Sequence, residues 1–75
     1  MEAKEMFKEL GYDFGTYETF LDIRMWKYDK RSNEIDFFIN KKEWTIFLES
    51  EEWENIDKII QAINKQVEEL GWNKC

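Results

Sequence analysis

The stretch Tyr17–Asp29, "YETFLDIRMWKYD", decides the fold, because the hydrophobic period changes there. Successive side chains of an extended chain point to opposite faces. Alternation therefore puts Leu21, Ile23 and Met25 on one face and Phe20, Asp22, Arg24 and Trp26 on the other. Two further runs keep the same period. "NEIDFFIN" (33–40) sets Ile35, Phe37 and Ile39 against Asp36 and Phe38, and "EWTIFLE" (43–49) sets Trp44, Ile46 and Leu48 against Thr45 and Phe47. All three are rich in β-branched and aromatic residues, and the connections "DKRSN" (29–33) and "NKK" (40–42) are polar and turn-like.

Outside this block the period is helical. "EAKEMFKELGY" (2–12) carries Ala3, Met6, Phe7 and Leu10 on one stripe and predicts a helix over 2–10, stopped at Gly11. "NIDKIIQAINKQVEELGW" (55–72) places Ile56, Ile59, Ile60, Ile63, Val67 and Leu70 at offsets of 0, 3, 4, 7, 11 and 14, one apolar face of a longer helix. The matching ends "KELGY" and "EELGW" are a shared stop signal. A glycine takes the left-handed conformation, and Tyr12 and Trp72 then fold back onto Phe7 and Val67.

The expected fold is therefore α+β in the order α-β-β-β-α, one domain over residues 1–75. It is a three-stranded antiparallel meander with two helices on one face. Two short helices cannot cover both sheet faces, so aromatics among Phe20, Trp26, Phe38 and Phe47 are expected to be exposed. The chain is 17% aromatic, which supplies enough buried area for so short a sequence to fold.

The bulk composition narrows function by exclusion. There is no His and a single Cys, Cys75, which argues against metal sites, thiol catalysis and disulfides. No Gly-rich phosphate loop or nucleophile elbow is present, so neither enzymatic activity nor a cofactor is expected. No apolar run is long enough for a membrane span, and the charged "MEAKEMFKEL" start lacks a signal-peptide core, which points to the cytoplasm. With 17 acids against 11 bases the net charge is −6, which repels phosphate backbones and favours cationic partners.

The densest charge lies at Glu49–Asp57, "ESEEWENID", where Glu49, Glu51, Glu52, Glu54 and Asp57 surround Trp53 without a cation. One reading is structural. Ser50 or Asn55 caps the second helix, the acids favour its N-terminal dipole, and strand order brings Lys27, Lys30 and Arg31 close enough to offset the rest. The other is functional: acids flanking an exposed ring suit an Arg/Lys-rich protein surface, with Trp53, Trp26 and Phe47 as apolar anchors. A homodimer through the aromatic sheet face is the alternative. Single-stranded nucleic-acid stacking is a weaker one, because the platform lacks a cationic path.

The ends "AKEMFKELGY" (3–12) and "AINKQVEELGW" (62–72), together 21 of 75 residues, resemble a group of small proteins encoded by phages and prophages of low-GC Gram-positive bacteria. The resemblance implies a phage origin and a variable middle, and carries over no site residues. Small acidic phage proteins of this kind commonly bind host machinery. Anti-CRISPR and anti-restriction proteins, which occupy basic nucleic-acid channels, are the analogy, and a bacterial host protein with a basic surface is the expected partner.

Overall fold

The computed structural model describes residues 1–18, 20 and 24–72. Helix α1 (Ala3–Glu9) leads into a sheet of β1 (Asp13–Glu18), β2 (Arg24–Lys30), β3 (Asn33–Phe38) and β4 (Glu43–Phe47). A 3-10 helix (Ser50–Asn55) then runs straight into α2 (Ile56–Leu70). The fold is α+β with an antiparallel sheet in the order β1-β2-β3-β4. The sheet has four strands where the sequence predicts three.

The additional strand is β1, "DFGTYE", whose only regular inward signal is Phe14 followed by Thr16. Gly15 interrupts the pattern on its outer side, where the Tyr17 ring leans over it. A Cβ at Gly15 would come within 3.2 Å of the Tyr17 hydroxyl oxygen.

Register fixes two opposed faces. Phe14, Tyr28, Ile35 and Ile46 share one row, and Thr16, Trp26, Phe37 and Trp44 the next. These face the helices. Ile35, Phe37 and Ile46 lie as expected, and Ile39 and Leu48 pack against the same core. The phase of β2 is the reverse of the expected one: Trp26 and Tyr28 point inward, and Met25 belongs to the outer face with Lys27 and Asp29. Leu21, Asp22 and Ile23 lie outside the described residues.

Aromatic rings build the centre. Phe7 of α1 stacks on Tyr28 at 4.0 Å between centroids, and both meet Phe37 edge-on. Ile59, Ala62 and Ile63 of α2 are wholly buried against the same cluster. The Tyr28 hydroxyl donates to Gln66 Oε1 at 2.5 Å, so these two buried polar side chains satisfy each other. Burial, with the Glu69 charge adding to it, raises the Tyr28 pKa, so the hydroxyl stays a donor at neutral pH. Helix α1 has no side-chain cap of its own. The Ala3 N–H instead donates to Glu69 Oε2 of α2 at 2.9 Å, which places a carboxylate at the positive end of α1.

Both helices end as the sequence predicts. Gly11 (φ 93°) and Gly71 (φ 75°) are left-handed. The Tyr12 N–H reaches the Phe7 carbonyl and the Trp72 N–H the Val67 carbonyl, with the glycine N–H groups bonded to Lys8 and Glu68. Tyr12 meets Phe7 edge-on at 6.0 Å. The two glycines differ in surroundings. A Cβ at Gly11 would meet Lys30 Cδ at 3.0 Å, whereas nothing lies within 4 Å of one at Gly71. Gly71→Ala is therefore expected to cost only the conformational strain, about 1 kcal/mol. Gly11→Ala should cost measurably more, because it also displaces the Lys30 stem; urea denaturation followed by circular dichroism compares the two.

Candidate functional site

After β4 the acidic stretch winds over Ser50–Asn55 as a 3-10 helix, in which side chains three apart share a face. That period sorts its carboxylates. Glu49, Glu52 and Asn55 form one row and Glu51 and Glu54 another, with Asp57 in the first turn of α2. The sheet side receives only Glu52, which is 7% exposed, while the other four carboxylates are exposed.

Glu52 is fully partnered. Its Oε2 accepts from the Tyr12 hydroxyl at 2.5 Å and from Lys30 Nζ at 2.9 Å, and its Oε1 accepts from Asn55 Nδ2 at 3.1 Å. Lys30 Nζ also donates to the Leu10 carbonyl at 2.9 Å, so one ammonium joins the end of α1 to the acidic turn. Asn33 fixes the start of the segment: its Oδ1 accepts the Glu49 N–H at 2.7 Å while its Nδ2 donates to the Lys30 carbonyl. Burial raises the Glu52 pKa, but the hydrogen bonds from Tyr12, Lys30 and Asn55, helped by the Lys30 charge, lower it below the ordinary value overall. Tyr12 shifts upward through burial first and then through Glu52.

Of the three cations expected beside the acidic run, Lys30 and Arg31 lie there and Lys27 does not. Lys30 is consumed by Glu52, and Arg31 lines a cleft of about 500 Å3 beside Glu49 and Glu51. Lys27 is on the outer sheet face, paired with Glu34 at 3.2 Å. Neither Ser50 nor Asn55 caps α2 with its side chain. The 3-10 turns run directly into the helix, the Ile56 N–H bonds to the Trp53 carbonyl, and the Asn55 amide turns to Glu52 instead.

Of the anchors read from sequence, Trp53 is 49% exposed beside Glu51 and Glu54. Phe47 is 68% exposed on the outer sheet face, across from Glu34. Trp26 is half-buried on the opposite, helix-facing side, edge-on to Phe14 with Lys4 Nζ 5.9 Å from its ring. The structure therefore groups Trp53 with the exposed acids and separates Trp26 from Phe47. What sequence reasoning missed is the anchoring role of Glu52, Tyr12 and Lys30. The three-residue period from Glu49 to Asn55 was the available signal.

The outer face holds a second electrostatic feature. Asp36 lies opposite Lys27 in the centre of the sheet, next to Glu34 on the same strand face. Its Oδ1 is buried without a hydrogen-bond partner. Burial, a hydrogen bond to Glu34 and the Glu34 charge push its pKa up to about 7, against a smaller opposing pull from Lys27. Glu34 is lowered in return, chiefly by that same hydrogen bond.

Among the described residues no group of three or more Asp, Glu, Cys or His side chains is placed to hold a metal ion. No helix among them is long and apolar enough to cross a membrane. No protein-family model matches the chain, and neither a curated protein nor a solved structure does.

The two perturbed carboxylates predict opposite pH dependences. Glu52, with a lowered folded pKa, stabilises the fold above its ordinary pKa and loses that contribution as pH falls. Glu52→Gln should therefore cost about 2–3 kcal/mol at pH 7, with the gap to wild type closing on acidification toward pH ~3. Asp36, with a raised folded pKa, weakens the fold as pH rises from about 4 to about 7. Asp36→Asn should gain about 1–2 kcal/mol at pH 8 and little at pH ~4, since partial access to water screens the full effect. Thermal denaturation across pH 3–8 reads both slopes.

Proposed function

We propose that this chain is a small acidic accessory protein of phage type that acts by binding rather than by catalysis. Its partner is a host protein with a basic surface, in the bacterial cytoplasm. A nucleic-acid-handling defence complex is the target class this reading favours, since a basic channel there would accept such a surface. The observation that carries the proposal is the division within Glu49–Asp57. Glu52 alone is spent on the fold, and Glu49, Glu51, Glu54 and Asp57 have no ion-pair partner among the described residues. Trp53, half exposed among them, gives a steering field one apolar anchor.

Buried Glu52 must be left intact in any test of this surface. Glu51→Lys/Glu54→Lys is expected to abolish capture of the partner from host lysate while changing stability by no more than about 1 kcal/mol. Trp53→Ala should weaken capture by about 2 kcal/mol, roughly thirtyfold. Wild-type capture should itself fall steeply between low and high salt. In a host with an active nucleic-acid-targeting defence, expression of the chain should lower protection and the double-lysine variant should restore it. Capture that survives both the salt and the lysines would overturn the proposal.

A further inference from the structure

Twelve outer-face residues form a lattice of three rows across the four strands. One row reads Asp13, Asp29, Glu34, Phe47; the middle row Gly15, Lys27, Asp36, Thr45; the last Tyr17, Met25, Phe38, Glu43. The face is therefore polarised along the strands. Over β1 to β3, three carboxylates lie side by side at one end and three apolar side chains at the other; on the edge strand β4 the order reverses, with Phe47 beside the acids and Glu43 beside the apolar row. Like charges directly opposite each other weaken a sheet, and the one cation on the lattice, Lys27, already serves Glu34 at 3.2 Å and lies 5.2 Å from the Tyr17 ring. Tyr17 is 50% exposed and Phe47 68%. Among the described residues no helix covers this side.

Charge decides between occupants. Two copies packed face to face with aligned strands set the acidic row either on its own counterpart or on the partner's Tyr17–Met25–Phe38 row. The first repels and the second strips water from carboxylates without supplying a cation. Phosphate-bearing ligands meet the same field. A cationic protein segment meets neither obstacle.

We propose that the outer sheet face is a second docking surface, separate from the Glu49–Asp57 turn, for a basic segment of a partner protein. Its apolar side chains rest on Tyr17, Met25 and Phe38 while its arginines or lysines reach Asp29 and Glu34. The two ends are four residues apart along a strand, about 13 Å. The segment therefore carries its cations about four residues from its apolar side chains if extended. This surface shares no residue with the acidic turn, so either can fail without the other.

The test titrates the isotope-labelled full chain with a blocked peptide carrying two leucines at alternate positions, followed by two arginines at alternate positions. The same peptide with glutamates is the comparison. Amide resonances of Tyr17, Met25, Lys27, Asp29, Glu34 and Phe38 are expected to shift, with those of Glu51–Asp57 unmoved. Asp29→Lys should weaken binding by about tenfold or more, and Tyr17→Thr or Met25→Thr about fivefold. Glu51→Lys/Glu54→Lys should leave the affinity unchanged. Should one threonine variant unfold, the other and Asp29→Lys still decide. The proposal is overturned if the arginine peptide does not bind at millimolar concentration, binds no better than the glutamate peptide, or shifts only the acidic turn. It is equally overturned if the free chain sediments as a dimer that Tyr17→Thr or Met25→Thr dissociates.

Discussion

The contact on which the structure depends is the stack of Phe7 on Tyr28. It is the place where the first helix, the sheet and the last helix meet: Tyr28 takes the Phe7 ring on one side, Phe37 edge-on, Phe14 at a tilt, and Gln66 through its hydroxyl. A chain of 75 residues has few side chains to spend on a core. Large rings give the most buried area per residue and cost little conformational freedom. Once they are gathered on one side of the sheet, apolar residues for a second layer on the other are short, and the slab stays 18 Å thick along its shortest axis. The outer face, over which no described helix packs, is thus a consequence of how the core is made.

The same economy explains the buried charge. Tyr12 closes α1 by folding onto Phe7, which brings its hydroxyl under cover and obliges it to find an acceptor. Glu52 supplies one, and Lys30 balances it. Glu52 is the common acceptor of the group, so removing it leaves the buried Tyr12 hydroxyl without its acceptor and Lys30 without its counter-charge. The three side chains also turn an otherwise loose exit from β4 into a fixed one, and this fixes where the remaining carboxylates of the turn stand.

Much of this was legible in the sequence. The two helices, their glycine stops and the fold-back of Tyr12 follow from local chemistry, because capping depends on a few adjacent residues. The inward faces of β3 and β4 were legible too, since Ile35, Phe37, Ile46 and Leu48 alternate without interruption. The phase of β2 was not. Leu21 and Ile23 extend the alternation back from Met25, and nothing local tells Trp26 and Tyr28 that they, rather than Met25, will meet Phe7. Strand β1 was hidden because Asp13, Gly15 and Glu18 dilute its pattern, its stability coming from pairing with β2. At the site, acid density in Glu49–Asp57 was legible, but which acid turns inward depended on a 3-10 rather than an α-helical period.

The hydrogen bond from the Ala3 N–H to Glu69 joins residues 66 positions apart. Helix α1 is too short to persist alone in water, and the partners that hold it, Tyr28, Ile63 and Glu69, are all made after it. The contacts of α1 with α2 therefore join parts of the chain far apart in sequence, whereas its stack on Tyr28 needs only β2. The meander can pair its neighbouring strands early, since its turns are short. The layer that covers its inner face is complete only when α1 and α2 meet, which makes it the most non-local part of the fold.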